Sequence, residues 1–198
     1  AGESLVAVPA GLKPKNVIIA FGDGMGFGIA EAASCATRHA ARAMLFDAFP
    51  VVTVCSTWSA DDPITDSAAS ATAFACGSKT KNRCLGVLPD GRSVRSVATL
   101  AQTAGKSVGL VTNDKLEGAS PSAFAAHVKN RGMAKEIFDD YAKCGFDILV
   151  GDASKPGFAA RSALEGAGYS FVSNAASLAA LSAGTRAFGQ IEEKSFLA

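Results

Sequence analysis

The stretch Thr65–Ala73 reads Thr-Asp-Ser-Ala-Ala-Ser-Ala-Thr-Ala, a short polar start followed by alanines. Because alanine is the strongest helix former, this stretch predicts a helix over Ser67–Cys76 that is closed by Gly77. A hydroxyl at the start of such a helix lies beside exposed backbone amides and the positive end of the helix dipole. An anion binds well there, and a serine ionises more easily. A purely structural interpretation is equally open, because Asp66 or Ser67 could simply be the N-cap.

Apolar runs and helical stretches alternate along the rest of the chain. The run Val17–Phe21 ends at Gly22 and predicts a central parallel strand that is covered on both faces. The other predicted elements are strands at 51–55, 108–111 and 146–150, helices at 29–46, 94–104 and 133–143, a helix opened by Ser120-Pro121, and a turn-rich surface excursion at 78–92. This alternation indicates an α/β fold with a mostly parallel central sheet flanked by helices. We expect a single domain over residues 1–198, with residues 1–14 as an extended lead-in.

Composition and charge exclude several classes of protein. The chain has 198 residues, of which 48% are hydrophobic, enough for one sizeable core. Its net charge of +1 gives no broad electrostatic footprint for nucleic acid or an anionic membrane. The apolar runs fall far short of the roughly 20 residues that cross a bilayer, so no membrane span is expected. The five cysteines form no Cys-x-x-Cys pair, and most are expected to be small buried hydrophobic residues.

Three further features point to the binding of ions. Asp23 lies between Gly22 and Gly24 at the end of the first predicted strand, on the sheet edge where ligands collect, so it could coordinate a cation. A plain turn is the more ordinary interpretation of this tripeptide. Ser120-Pro121 predicts an N-cap followed by the first helical residue. Arg131 would lie at the end of the same helix, where its planar guanidinium could grip two phosphate oxygens.

Taken together and in this order, these stretches resemble the alkaline phosphatase family. The matching segments are residues 16–26, 61–87, 106–131 and 146–151. The first is similar to the family's first metal-ligand strand, and Thr65–Ala73 is similar to its nucleophile motif. The segment over 109–131 is similar to the one that supplies a magnesium ligand and ends in a phosphate-binding arginine. The resemblance implies an alkaline-phosphatase-like fold, of which this chain is the N-terminal, nucleophile-bearing part.

The resemblance also implies a role for each matching position. Ser67 would attack phosphorus, with its oxygen held by a zinc ion, and Asp23 would bridge that zinc and a magnesium ion. Ser120 would be a ligand of the magnesium. Arg131 would bind the phosphate oxygens, and Asp66 would orient Arg131. The implied cofactors of the complete protein are therefore two zinc ions and one magnesium ion.

Two departures from the family pattern affect the metal sites. Gly118 stands where some family members carry an acidic or histidine side chain near the magnesium. The family also draws its remaining metal ligands from a C-terminal half that this chain lacks, and neither His39 nor His127 is a promising zinc ligand. An alternative to an enzyme is therefore a non-catalytic fragment or a phosphate-binding remnant.

The implied reaction is the metal-dependent hydrolysis of phosphate monoesters through a phosphoserine at Ser67. A related sulfatase would need a Cys/Ser-x-Pro-x-Arg setting, which neither Cys55 nor Cys76 has, and a phosphodiesterase would more often carry threonine at position 67. The expected partners are small phosphate monoesters, without nucleic acid, and a homodimer is one expectation for the assembly. The chain begins at Ala1 rather than methionine, which fits a removed signal peptide or a trimmed chain, so a periplasmic or extracellular location is expected.

Overall fold

The structure, a computed structural model, describes residues 15–152 and 161–191. The chain forms two compact units, residues 1–56 and 57–198. In the described part of the first unit the regular elements are helix α1 (Phe27–Arg38) and a short 3-10 helix (Leu45–Ala48). None of the helices in the described ranges has both the length and the apolar character needed to cross a bilayer. The predicted lead-in over residues 1–14 lies outside the described residues.

A four-stranded parallel sheet forms the centre of the second unit. Its strands are β1 (Gly109–Val111), β2 (Ile148–Asp152), β3 (Ser170–Val172) and β4 (Ala187–Ile191). They lie side by side in the order β1-β2-β4-β3, and every neighbouring pair is parallel. The prediction of an α/β fold with a parallel sheet is thus confirmed. The predicted strands at 108–111 and 146–150 correspond to β1 and β2, each within two residues at either end.

Helices connect and cover these strands. In the described part of the second unit they are α2 (Ser67–Cys76), α3 (Val97–Thr103), α4 (Ala119–Ser122), α5 (Ala134–Cys144), α6 (Arg161–Gly166) and α7 (Ala175–Ala179). Helix α2 has the bounds that its sequence predicts. It ends because Gly77 adopts a left-handed conformation, with φ of 68°, that glycine takes without steric cost. Helix α2 packs against α4, which brings the first parts of the predicted site onto adjacent elements.

The core of the second unit forms where α5 covers the sheet. Ile137, Phe138 and Tyr141 recur at helical spacing on the buried face of α5. They belong to one cluster with aromatic and aliphatic side chains of the strands, including Leu149 and Phe188, which are fully buried. Burying such side chains stabilises the fold by about 1.5–3 kcal/mol each. The sheet and the helices packed on it therefore provide a firm support for the loops at the strand ends.

The strand predicted at 17–21 is not formed in the structure. These residues lie outside every helix and strand, and Val17 and Ile18 are 71% and 93% exposed. The prediction of a strand at 51–55 is also wrong, since this segment is irregular and exposed. An apolar run becomes a buried strand only between hydrogen-bonded neighbours, and the described residues of the first unit include no strand that could pair with it.

The cysteines differ from expectation as well. All five lie in the described ranges and form no disulfide. Cys35 and Cys55 are exposed, and the other three are only half-buried, so the prediction that most are buried is wrong. Burial still raises the pKa of Cys76, to about 11, because the thiolate loses solvation beside the packed helix. This thiol therefore stays protonated at neutral pH.

Candidate functional site

Asp66 is the N-cap of helix α2. One of its carboxylate oxygens, Oδ1, accepts a hydrogen bond from the backbone N–H of Ala69 over 2.9 Å. Ser67 is the first residue of the helix and is half-buried. The capping interpretation thus holds for Asp66, and it does not compete with a chemical role for the Ser67 hydroxyl. Both residues lie at the positive end of the helix dipole, where amides favour a bound anion.

The second carboxylate oxygen of Asp66 holds an arginine from far along the chain. Oδ2 lies 3.4 Å from Nη1 of Arg131 and also accepts the backbone N–H of Arg83 over 3.1 Å. The side chains of Arg131 and Asp66 are 34% and 26% exposed, so the ion pair is partly shielded from solvent. All three predicted catalytic residues, Ser67, Asp66 and Arg131, therefore meet at one end of α2.

The backbone that leads to Arg131 has a different structure from the one that its sequence predicts. The sequence predicts a helix with Ser120 as N-cap and Pro121 as its first residue. The observed helix begins two residues earlier, at Ala119 with Gly118 as N-cap, and ends at Ser122. The chain then turns, and Val128 forms an isolated antiparallel bridge with Leu85. Arg131 follows this bridge, so the prediction that it ends a helix is wrong.

The physical reason is competition for backbone hydrogen bonds. The N–H and C=O of Val128 are both bonded to Leu85, over 2.9 and 2.8 Å, and are therefore not available to a helix. Gly86 permits this close approach. A Cβ atom there would lie 2.1 Å from the carbonyl oxygen of Ala126, and the residue has a left-handed φ of 59°. A helix continued through Val128 would lose this pairing.

Asn82 is a site residue that the sequence did not identify. Its segment was predicted to be a solvated surface excursion, yet its side-chain Oδ1 accepts the backbone N–H of Asp66 over 2.9 Å. The available signal is modest: Asn82 lies six residues after the end of α2, and asparagine is one of the residue types whose side chains often hydrogen-bond to nearby backbone groups. Its partner Asp61 has a pKa below the ordinary value, chiefly because its carboxylate accepts the backbone N–H of Asn82, with the Ser59 hydroxyl also donating.

Ser120 lies at the second residue of α4 and is half-buried. Three residues before it, the side chain of Glu117 is buried, with 6% of its surface exposed. Burial raises the pKa of Glu117, and the Asp114 carboxylate adds to this effect, while its own backbone N–H and Lys115 act against it. The sequence does not identify this buried acid, which lies three residues before the predicted magnesium ligand.

The raised pKa of Glu117 predicts a stability effect. The pKa of Glu117 in the folded protein lies above the ordinary 4.5. As pH rises, the unfolded chain therefore loses this proton at a lower pH than the folded protein does. The free energy of unfolding falls as pH rises through the folded pKa. Glu117→Gln cannot titrate and avoids this loss. We expect its free energy of unfolding to exceed that of the unsubstituted protein at about pH 8, with a gain that shrinks towards about pH 4. Urea titrations at both pH values measure it.

The exposed Glu136 offers a matched control for this prediction. Glu136→Gln makes the same chemical change without relieving burial, so it should show no such gain at high pH. A difference between Glu117→Gln and the unsubstituted protein that stayed constant with pH would contradict the burial argument.

Asp23 belongs to the first unit and lies in a turn. The N–H of Met25 is bonded to the carbonyl oxygen of Gly22 over 3.3 Å, and Gly24 has a left-handed φ of 68°. The side chain of Asp23 is exposed, and α1 begins shortly after it, with Gly26 as N-cap. The Gly-Asp-Gly tripeptide is therefore a turn, and the role of Asp23 as a metal ligand stays a prediction.

Within the described ranges, the side chains that could bind a metal ion are not gathered into a site. Within 15–152 and 161–191, no group of three or more histidine, cysteine, aspartate or glutamate side chains converges on a metal position. His39 caps the end of α1, and the ring of His127 lies 3.2 Å from the carbonyl oxygen of Val94. A tight zinc site needs about four converging ligands, so the described residues could hold only part of one.

Comparison with known proteins identifies the family. The sequence model of the family described as alkaline phosphatase matches residues 14–145, which is two thirds of the chain. The chain belongs to the alkaline phosphatase family. The matched residues include the ion pair of Asp66 and Arg131 as well as Ser67 and Ser120.

Named relatives support this assignment. Alkaline phosphatase 3 of Bacillus subtilis is 35% identical over 150 residues, which cover 69% of this chain and 32% of that protein. The crystal structure of a cold-active alkaline phosphatase from the psychrophile Shewanella sp. is 28% identical, with a TM-score of 0.73 over 86% of this chain and 44% of that one. A variant of TAB5 alkaline phosphatase, solved with magnesium bound in its M3 site, is 26% identical, with a TM-score of 0.69 over 86% of this chain and 50% of that one.

These figures also show how much of the family fold the chain represents. It spans about a third of the length of the Bacillus subtilis relative and half or less of the two solved structures. The four-stranded sheet described here is accordingly part of a larger alkaline phosphatase fold.

Proposed function

We propose that the complete protein hydrolyses phosphate monoesters through a phosphoserine intermediate at Ser67. The observation that carries this proposal is the carboxylate of Asp66, which caps the nucleophile helix with one oxygen and holds Arg131 at 3.4 Å with the other. A single side chain thereby holds a guanidinium beside the helix N-terminus at which Ser67 is the first residue. This combination suits a phosphoryl group, which carries negative charge and several acceptor oxygens.

Each of the three side chains has a defined task in the proposed reaction. The Oγ of Ser67 attacks phosphorus and loses its proton to solvent. The bond from phosphorus to the ester oxygen breaks, and that oxygen takes up a proton from solvent, which releases the alcohol. Water then cleaves the phosphoserine, and inorganic phosphate and the Ser67 hydroxyl are restored. Arg131 binds two phosphate oxygens through its planar fork, and Asp66 orients that fork.

Metal ions complete the proposed site. Asp23, Ser67 and Ser120 are the chain's contribution to the ligands of two zinc ions and one magnesium ion, and the other ligands come from elsewhere in the complete protein. Carboxylate and hydroxyl oxygens suit these cations, and the magnesium bound to the TAB5 variant supports a magnesium site in this family. When bound, the metals supply positive charge that favours the ionised serine and offsets charge on the phosphoryl group.

The proposal predicts that Asp23 is needed for metal binding. Asp23→Asn keeps the shape of the side chain and removes its negative charge, so we expect the purified complete protein to contain less zinc and less magnesium. Elemental analysis measures both metals. Asp47→Asn, a matched change in the same unit at an acid that bonds to the backbone N–H of Met44, should leave the metal content unchanged. Retention of both metals in Asp23→Asn would mean that the tripeptide is only a turn.

The proposal extends to the substrates, the location and the assembly. Ser67, Asp66 and Arg131 engage the phosphoryl group and not the alcohol, so a broad range of small phosphate monoesters is expected. The net charge of +1 gives no general attraction for nucleic acid. We propose a secreted or periplasmic protein and a homodimer as its assembled state.

The experiment that tests the proposed function measures turnover of a chromogenic phosphate monoester by the complete protein, with added zinc and magnesium and then with a chelator. Hydrolysis that the chelator abolishes supports the proposal. A chromogenic phosphodiester and a sulfate ester are the comparison substrates and should react far more slowly. Binding of inorganic phosphate without hydrolysis of the monoester would instead support the alternative of a phosphate-binding remnant.

A further inference from the structure

The turn at Asn82 and Arg83 contacts both members of the ion pair in the site. The side-chain Oδ1 of Asn82 accepts the backbone N–H of Asp66 over 2.9 Å, and the backbone N–H of Arg83 donates to Oδ2 of Asp66 over 3.1 Å. The carbonyl oxygen of Arg83 accepts the backbone N–H of Arg131 over 2.7 Å. Two adjacent residues thus hold Asp66 at its backbone and its carboxylate, and Arg131 at its backbone.

The side chain of Asn82 is itself held in one orientation. Its Nδ2 donates to the carbonyl oxygen of Ile64 over 2.9 Å, which fixes its Oδ1 towards Asp66. The backbone N–H of Asn82 donates to Oδ1 of Asp61 over 2.8 Å, and that same oxygen accepts the hydroxyl of Ser59 over 2.9 Å. The side-chain amide of Asn82 is half-buried, and both its oxygen and its nitrogen are hydrogen-bonded, so it keeps its position. It can therefore set the position of Asp66.

The backbone of Arg83 has a conformation that this residue type does not favour by itself. Arg83 has a φ of 71°, in the left-handed region that residues with a Cβ atom rarely adopt. Such a conformation is unfavourable and persists only where the surroundings determine it. Here the surroundings are Asp66 and Arg131, the bonding partners of its N–H and C=O.

We propose that Asn82 is a positioning residue for phosphoryl transfer, which acts through Asp66 on the guanidinium of Arg131. This inference rests on the proposed function. One hydrogen bond from its backbone N–H and three to its two carboxylate oxygens leave Asp66 little freedom, so Arg131 meets a carboxylate of fixed position. Without Asn82, the start of α2 and the carboxylate can shift, and a displacement of a fraction of an ångström at a reacting centre lowers the rate.

The test is the variant Asn82→Ala in the complete protein. We expect the inhibition constant for inorganic phosphate to rise about three- to tenfold and kcat for a chromogenic monoester to fall by a similar factor, because a misplaced guanidinium binds both phosphate and transition state less well. Asn174→Ala is the matched control. It removes an asparagine whose Oδ1 likewise accepts a backbone N–H, that of Ser177 over 2.8 Å, at the start of α7. Both kinetic values should stay unchanged in the control.

A double-mutant cycle separates positioning from a general loss of stability. If Asn82 acts through Arg131, the effects of Asn82→Ala and Arg131→Ala on phosphate inhibition should not add, and the double variant should resemble Arg131→Ala alone. Thermal unfolding of each variant shows whether it is folded. Asn82→Ser, which shortens the side chain without adding bulk or charge, repeats the test should the alanine variant fail to fold.

The outcomes distinguish the two proposals. A weakened phosphate site in Arg131→Ala together with unchanged kinetics in Asn82→Ala, or effects that add in the double variant, would overturn the positioning role of Asn82 alone. An Arg131→Ala variant with unaltered phosphate inhibition would contradict the proposed function, and the positioning role with it.

Discussion

Substituting Ser67 by alanine in the complete protein is expected to lower the turnover of a phosphate monoester by roughly three to six orders of magnitude, because the covalent route loses its acceptor atom. Ser67 is the first residue of α2, and the cap at Asp66 does not depend on its side chain. Alanine also favours a helix at this place, so the fold should be retained. Steady-state kinetics with a chromogenic monoester measure the turnover, and thermal unfolding shows whether the fold is retained.

Ser70→Ala is the matched control for this substitution. Ser70 lies one turn later on the same helix, and its hydroxyl donates to the carbonyl oxygen of Asp66 over 3.0 Å. Loss of such a hydrogen bond costs about 0.5–1.5 kcal/mol of stability, with no loss of a nucleophile. Turnover should therefore stay within about tenfold of the unsubstituted protein. Turnover in Ser67→Ala equal to that in Ser70→Ala would sink the assignment of the nucleophile.

Substituting Arg131 by alanine is expected to weaken both phosphate binding and the stabilisation of the transition state. One charge-assisted contact to phosphate contributes about 1.5–3 kcal/mol, which corresponds to roughly a 10- to 150-fold rise in the inhibition constant for inorganic phosphate. The pairing with Asp66 at 3.4 Å keeps the guanidinium oriented before phosphate arrives. Removal of the Arg131 side chain therefore also leaves the Asp66 carboxylate without this partner. Competitive inhibition by phosphate is the measurement.

Arg92→Ala provides the control for Arg131. Arg92 also pairs with an aspartate, Asp90, but both side chains are largely exposed, and the two residues lie in a surface turn. An exposed ion pair contributes little to stability, so phosphate inhibition should not change in this variant. Equal inhibition constants in Arg131→Ala and Arg92→Ala would count against a phosphate-binding role for Arg131.

The parts of the fold that follow from local signals were predictable. Helix α2 has its predicted bounds because an aspartate that caps, a run of helix-forming alanines and a terminating glycine all lie within Asp66–Gly77. The strands β1 and β2 were predicted from short apolar runs, and the parallel sheet from their alternation with helices. Residues after Gly151 carry weaker patterns, and the elements α6, β3, α7 and β4 were not predicted individually.

The parts that depend on contacts between distant segments were not predictable. The run Val17–Phe21 has the composition of a buried strand, but an extended chain becomes a strand only when a partner accepts its hydrogen bonds. The sequence predicts a helix end at Arg131 because the pairing of Val128 with Leu85 leaves no local pattern. For the same reason the sequence does not point to Asn82, whose bond to Asp66 joins positions separated by 16 residues.

The candidate site was predicted for a different reason. Ser67, Asp66 and Arg131 were assigned from the resemblance to alkaline phosphatases, and the structure brings these three residues together at one end of α2. Their chemical roles, and those of Asp23 and Ser120 as metal ligands, stay proposals. Asp23 lies in the first compact unit and Ser120 in the second, so the metal content of the variants is the more direct evidence for their role.

The most direct measurement is to trap the covalent intermediate. The complete protein is mixed with a phosphate monoester in the presence of zinc and magnesium, quenched with acid during turnover and digested, and the peptides are examined by mass spectrometry. We predict a single phosphoryl group on the peptide that contains Ser67, and none on the corresponding peptide of Ser67→Ala. Sustained hydrolysis by a protein that carries the phosphoryl group on another residue, or on none at any quench time, would contradict nucleophilic attack by Ser67.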